Sequence, residues 1–248
     1  MAEAEIIIDN LLKRFEDVTA VDGLCLEVAK AELFGLLGPN GAGKSTTLNI
    51  LCGLIEPSSG YVKVAGHDIR KEKAQIRELI GVCPQETPVY KHLTGRENIE
   101  LFGNLYAMSK EKLRERSEKL LTTLGLLGDA RRRVGKYSGG MKRRLSLIMA
   151  LIHDPEVAFL DEPTIGMDPQ SRHAVWEFIK ELKKANKTII LTRHYMEEAQ
   201  ELCDRVGIID HGRLIALGSP VELMKKFGAE NLEEVFIRLT GRKIREES

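Results

Sequence analysis

An excess of charge of either sign is missing from this sequence. Its 248 residues carry 37 Lys and Arg against 37 Asp and Glu, so the basic footprint with which nucleic-acid binders hold a phosphate backbone is lacking. Basic residues do cluster at Arg131–Arg133 and at Lys142–Arg144; these read as solvated surface, or as contacts to lipid headgroups or a partner. Cysteine is sparse as well. Cys25, Cys52, Cys83 and Cys203 lie scattered without C-x-x-C spacing, which argues against a disulfide framework or a zinc site and for a reducing compartment. Long apolar runs are absent too. The opening MAEAEIIIDN is acidic, with too short an apolar part for a signal peptide, and no stretch approaches the roughly 18 apolar residues of a membrane helix. Work at a membrane would need a span from another polypeptide. A hydrophobic content of 43% is enough for a sizeable core, in one large domain or a domain with a subdomain.

What the chain does have is the stretch ELFGLLGPNGAGKSTTLNI, from Glu32 to Ile50. Leu33 to Leu37 read as a buried strand, and Leu48, Leu51 and Leu54 keep to one face of a helix. Between them, Gly38 to Ser45 match the phosphate-binding pattern G-x-x-x-x-G-K-[ST] in its required context, strand before and helix after. The glycines let backbone N–H groups turn inward around phosphate oxygens, and the helix N-terminus adds its partial positive charge there. Gly38, Pro39, Asn40, Gly41, Ala42, Gly43, Lys44, Ser45 and Thr46 are therefore candidate nucleotide-binding residues. Lys44 is placed to reach the β- and γ-phosphates, and the Ser45 hydroxyl to ligate Mg²⁺.

From the start of the chain, Glu5–Ile8, Leu24–Val28 and Tyr61–Gly66 read as strands, close enough in sequence to form an antiparallel sheet flanking the nucleotide site. Phe15 falls on a loop between the first two, either as a π-face for a purine base or as a boundary aromatic. Leu79–Cys83 is a further strand, followed by Pro84-Gln85, at the edge where open α/β sheets bind ligands. The Gln85 amide can ligate Mg²⁺ or hold the attacking water; a solvated loop Gln is the plainer alternative. Thr94 to Glu97 form a capping box that starts a helix with Ile99, Phe102, Leu105 and Tyr106 as its apolar positions, and Ser109 caps a second helix ending at Gly125. Residues 86–135 thus interrupt the α/β pattern with helices.

Ser138-Gly139-Gly140 next cap a helix running through Leu145 to Ile152, a second anion site at a dipole's positive end unless it is only a flexible turn. Val157 to Leu160 form a buried strand that delivers Asp161, a Mg²⁺ ligand, and Glu162, which can polarise the water attacking the γ-phosphate. Pro163 favours an extended backbone at Glu162. Asp168 and Pro169 begin another helix as cap and first residue, and Asp168 can also be a subunit contact. Thr188–Thr192 is a strand ending in Arg193 and His194; the imidazole there can donate to the γ-phosphate or be structural. Val206–Ile209 and Leu214–Leu217 form a hairpin, and short helices follow Ser219 and Asn231.

The ordered set GPNGAGKST, Pro84-Gln85, YSGGM, FLDEP, GMD and His194 closely resembles the ATPase subunit of ABC transporters, over nearly the whole chain from Phe15 to Gly218. YSGGMKRRL, HYMEEAQELCDRV and NLEEVFIRLTG resemble most the drug and antibiotic exporter branch that includes the daunorubicin-resistance ATPase. The resemblance implies an α/β fold: a P-loop NTPase core of RecA-like type (1–85 and 155–218) with a flanking antiparallel β-subdomain, an inserted α-helical subdomain (86–154) and C-terminal helices (219–248). It implies ATP and Mg²⁺ as cofactors and an ATP hydrolase whose catalytic residues are Glu162, His194, Lys44 and Gln85. Phe15 becomes the adenine-stacking aromatic, Gln85 a Mg²⁺ ligand with Ser45 and Asp161, and Ser138, Gly139 and Gly140 bind the γ-phosphate across a head-to-tail dimer. The partners implied are a transmembrane permease subunit and a second copy or a paralogous ATPase, with no nucleic acid. The chain would be cytoplasmic, at the inner face of the membrane through its partner. Tyr137 and Met141 replace the family's common Leu and Gln, while Ile165, Met167 and Arg193 are departures that can alter dimer closure or turnover. Two other classes remain: a soluble clamp of the same ATPase type on ribosome or DNA, and a GTPase switch, for which Asn186-Lys187-Thr188-Ile189 is no N-K-x-D guanine reader.

Overall fold

The computed structural model describes residues 3–193 and 196–241, Arg193 through its backbone alone. Strands β1 (Ala4–Phe15) and β2 (Val18–Ala29) pair antiparallel. Ile6, Ile8, Val21, Leu24, Leu26 and Val28 are buried in them, the period-two pattern of a strand with one face on a core. Both strands are longer than the sequence predicts. Register shifts between Ile8 and Leu11, and again up to Arg14, insert residues that break the alternation, and such bulges hide the strand from a periodicity argument. Phe15 consequently ends β1 opposite Val18 and is not on a loop, and the residue is 45% exposed.

After β3 (Leu33–Leu37) comes α1 (Lys44–Leu51), then β4 (Ser59–Val64) on the free side of β1, the short β5 (His67–Asp68), α2 (Lys73–Leu79) and β6 (Ile80–Cys83). Leu54 does not extend the α1 face. The helix stops at Leu51, Gly53 takes φ 67°, and Leu54 is 66% exposed, because a left-handed glycine ends a helix at its C-terminus.

Helices α3 (Gly95–Leu105), α4 (Lys110–Thr123) and α5 (Gly139–Leu151) follow. Each begins where a side chain satisfies orphan N–H groups: Thr94 and Glu97 form the reciprocal capping box, Ser109 accepts from Lys112 N, and Ser138 from Met141 N. Of the apolar positions expected of α3, Leu105 at 72% and Tyr106 at 37% are exposed, Tyr106 as the C-cap just past the helix. The buried Asn98 amide ties this region down, donating to Tyr90 O and Thr94 O and accepting from Tyr90 N.

The remaining elements are β7 (Val157–Asp161), α6 (Pro169–Lys184), β8 (Thr188–Arg193), α7 (Met196–Leu202), the β9 (Arg205–Asp210) and β10 (Arg213–Gly218) hairpin, α8 (Pro220–Phe227) and α9 (Leu232–Thr240). They complete a sheet of order β10-β9-β3-β8-β7-β6, parallel throughout except for β10. Its central strands are apolar runs because both faces are covered. The pleat divides the core in two: Phe34, Leu36, Phe159 and Ile190 face the β1–β2 sheet and α1, while Leu33, Leu37, Leu160 and Leu191 face the layer containing α5 and α6. Among the described residues no helix is long and apolar enough to cross a membrane.

His153, just beyond α5, stacks on Tyr106 with centroids 3.6 Å apart and hydrogen-bonds Ile80 O through Nε2 at 3.0 Å. Burial pushes its pKa down to about 4, against the opposing pull of the Ile80 carbonyl, so it folds as neutral imidazole. Between the ordinary value near 6.5 and about 4, the unfolded chain binds a proton that the folded chain refuses, and stability falls as pH drops through that window. His153→Phe keeps the stack and removes the titration. Thermal melts from pH 7 to pH 4 should show a flatter acid limb for the variant; an unchanged slope would contradict this role.

Candidate functional site

The loop leaving β3 is glycine where it touches its bed. A Cβ on Gly38 would lie 2.3 Å from Ile209 O, and one on Gly43, at φ 101°, 2.3 Å from Ala20 O. The loop thus rests on the β9–β10 turn and on β2, where only glycine fits. The N-cap of α1 is Gly43, which makes no side-chain cap hydrogen bond, and among the described residues that helix end is open to an anion. Lys44 is buried, and its ammonium donates to Gly38 O at 2.7 Å and Pro39 O at 3.0 Å. Desolvation holds its pKa below the usual lysine value, with Glu162 and Asp161 drawing it back up. Ser45 and Asn40 lie exposed at the loop's mouth.

Two strands along the sheet edge, β7 ends in the acidic pair. Asp161 accepts from the Thr192 hydroxyl on β8. Glu162 is 8% exposed, its backbone N–H donates to Thr192 O at 3.2 Å, and its carboxylate accepts from Gln85 Nε2 at 3.2 Å. The structure therefore brings Gln85, Glu162, Asp161 and Lys44 to one edge. The backbone at Glu162 is left-handed, φ 49°, and not the extended form that Pro163 favours. Its N–H is fixed to β8, its carbonyl closes a turn to Ile165 N at 3.2 Å, and a non-glycine residue keeps such a conformation only where its surroundings over-determine it.

Ser138, Gly139 and Gly140 open α5 at a helix N-terminus, with Ser138 and Gly139 exposed. Phe15 carries the Lys13 ammonium 4.7 Å from its ring centroid. Its partner Val18 lies two residues, about 7 Å of strand, from the Ala20 that backs the phosphate loop. His194 lies outside the described residues.

The sequence reading missed Arg143. As part of Lys142–Arg144 it read as solvated surface or as a contact to lipid headgroups or a partner, yet it is 2% exposed, and its guanidinium donates to Pro84 O, Gln85 O, Asp161 O and Glu162 O. A signal was present: Arg143 shares the i, i+3, i+4, i+7 face of α5 with the buried Ser146, Leu147 and Ala150.

A strand–loop–helix phosphate cradle, with an acidic pair and a glutamine on neighbouring parallel strands, defines a P-loop nucleoside triphosphatase. The ABC transporter family model matches residues 21–165. Over 229 residues the chain is 42% identical to the linearmycin resistance ATP-binding protein LnrL of Bacillus subtilis, covering 92% of this chain and 74% of that protein. It is 44% identical to the Nod factor export ATP-binding protein I of Rhizobium sp. (strain N33), covering 95% and 78%. A solved ATP-binding subunit of an ABC transporter superposes with a TM-score of 0.88 at 28% identity, over 95% of this chain and 99% of that one. A dimeric ATP-binding cassette in a post-hydrolysis state with ADP and Pi gives 0.79 at 26%, over 86% and 98%. The chain belongs to the ABC transporter family, and it is an ATPase of that family.

Among the described residues no group of three or more His, Cys, Asp and Glu is poised to hold a metal. Mg²⁺ binds through one or two protein oxygens plus substrate phosphates and water, and the exposed Ser45 hydroxyl and the part-exposed Asp161 are oxygen donors of that kind. Replacing Lys44 by Ala should abolish ATP binding in an equilibrium assay. Micromolar affinity in that variant would contradict a phosphate role for the ammonium.

Proposed function

We propose that this chain is the ATP-binding subunit of an exporter, hydrolysing Mg·ATP in a head-to-tail dimer to drive a separate transmembrane subunit. The observation that carries the reading is the assembly of Lys44, Asp161, Glu162 and Gln85 at one sheet edge, with a second glycine-bearing helix start at Ser138 on another element. In this reading Gly38 to Thr46 wrap the triphosphate and Lys44 exchanges its two carbonyl partners for the β- and γ-phosphate oxygens. Ser45, Asp161 and Gln85 would hold Mg²⁺, which supplies charge neutralisation on the phosphates. Glu162 takes the proton of the attacking water, and Gln85, with Nε2 committed to Glu162, offers its oxygen to that water or to the ion. His194 would donate to the γ-phosphate and Phe15 stack on adenine. Rate enhancement comes from positioning and charge rather than covalent chemistry.

Ser138, Gly139 and Gly140 would complete the γ-phosphate site of a second copy or a paralogue. The dimeric cassette with ADP and Pi supports this arrangement, and the resistance and export proteins among the relatives support the direction of transport. The permease would sit against the Gln85 loop and the helical segment, where Tyr90, Leu105 and Tyr106 are exposed. The chain would then be held at the cytoplasmic face of the membrane by that partner.

Glu162→Gln is the test. Loss of a general base costs about 10²–10⁴-fold in rate, so the variant should bind ATP, lose turnover by that order and accumulate as a dimer in size-exclusion chromatography with Mg·ATP. Hydrolysis at the parental rate, or a nucleotide-bound variant that stays monomeric at high concentration, would overturn the reading.

A further inference from the structure

Arg143 does something that packing does not require. It is a buried cation with no carboxylate within ion-pair distance among the described residues; its two terminal nitrogens are instead spent on backbone carbonyls. Nη1 serves Pro84 O and Gln85 O, and Nη2 serves Asp161 O and Glu162 O. Burying a charge is costly unless its donors are satisfied, and an apolar side chain in the same space would leave these four carbonyls without their donor. A planar fork, by contrast, can hold two pairs of oxygens at a fixed separation.

We propose that Arg143 is a positioning residue for ATP hydrolysis, holding the Gln85 loop and the Asp161–Glu162 turn in one geometry and tying both to the helix that begins at Ser138. Resting on the function proposed above, this extends it to a residue that touches neither nucleotide nor water. Three observations converge on it. First, the four carbonyls belong to the two loops whose side chains meet in the Gln85–Glu162 hydrogen bond, so the guanidinium fixes from behind what that bond joins in front. Second, Nη2 grips the carbonyl of Glu162, the residue with left-handed φ; such a conformation is costly and persists only under external restraint. Third, Arg143 lies five residues after Ser138 on α5, and the rest of that helix is buried against β6 and its neighbours. A displacement of the Ser138 end, whether from a partner's nucleotide or from the permease, is carried by a rigid helix to the carbonyls that aim Gln85 and Glu162.

The positioning role predicts a split between binding and turnover. Neither Gln nor Lys can bridge both carbonyl pairs, since each presents its donors on a single nitrogen. The test uses the full chain with Arg143→Lys and Arg143→Gln, measuring Mg·ATP affinity, kcat per folded chain at saturating ATP, and Tm, with Glu162→Gln in parallel. Affinity should stay within about threefold of the parent, while kcat falls by about tenfold or more, the scale expected of a catalytic group displaced by a fraction of an ångström. Parental kcat in both variants overturns the proposal. So does an equal loss of affinity and kcat, or failure of both variants to fold, since either makes Arg143 a folding requirement and no more. If instead Glu162→Gln turns over at the parental rate, the assignment of the base has failed, and the Arg143 result then stands or falls on its own binding–turnover split.

Discussion

Because β3, β8, β7 and β6 pair in parallel, their carboxyl ends arrive at the same edge of the sheet, and that one constraint places Lys44, Asp161, Glu162 and Gln85 together. Strand spacing of about 4.8 Å puts the end of β6 roughly 14 Å from the end of β3. The phosphate loop at one end and Gln85 at the other need not touch. They need only share a register, which the hydrogen bonds between strands supply. A one-residue slip of β7 would turn Asp161 to the other face and carry Glu162 away from Gln85, so the apolar pattern that buries Val157 to Leu160 also fixes the acidic pair.

At the glycine loop after β3 the energetic problem is a buried cation, Lys44. Lys44 meets it by hydrogen-bonding Gly38 O and Pro39 O, carbonyls of its own loop. Its charge stays close enough to Glu162 and Asp161 for them to support the protonated form against desolvation. Under the proposed function an incoming triphosphate would meet a preformed positive centre, and replacing two neutral acceptors by charged oxygens would strengthen each bond. The glycines facing Ile209 O and Ala20 O serve the same end, since a side chain at either would force the loop off the strands that hold it.

What could be read in the sequence was local chemistry. Thr94, Ser109, Ser138, Asp168, Ser219 and Asn231 each cap the helix that they precede, because a cap is decided within four residues. The buried strands β3 and β7 were legible for the same reason, as short apolar runs between turn residues. What escaped depends on partners far along the chain. The bulges that lengthen β1 and β2 are set by pairing across the hairpin, and the left-handed Glu162 by Thr192, some thirty residues later. Helix α2, with Ile76 as its one buried residue, has no apolar stripe to announce it. Arg143 was obscured by its neighbours: Lys142 and Arg144 made a basic triplet, and composition outweighed the helical phase that distinguishes the middle residue from the other two.

That same phase gives the site its mechanical character. Helix α5 is buried from Leu145 to Leu151, so it can move only together with the layer around it, which includes α3, α4 and the edge strand β6. Its first turn carries the exposed Ser138 and Gly139, while its second carries the guanidinium that holds the two active loops from behind. A close-packed interior resists continuous deformation and shifts between discrete arrangements. On the positioning role proposed for Arg143, an event at the exposed end of α5 would either leave Gln85 and Glu162 as they are or reposition both together.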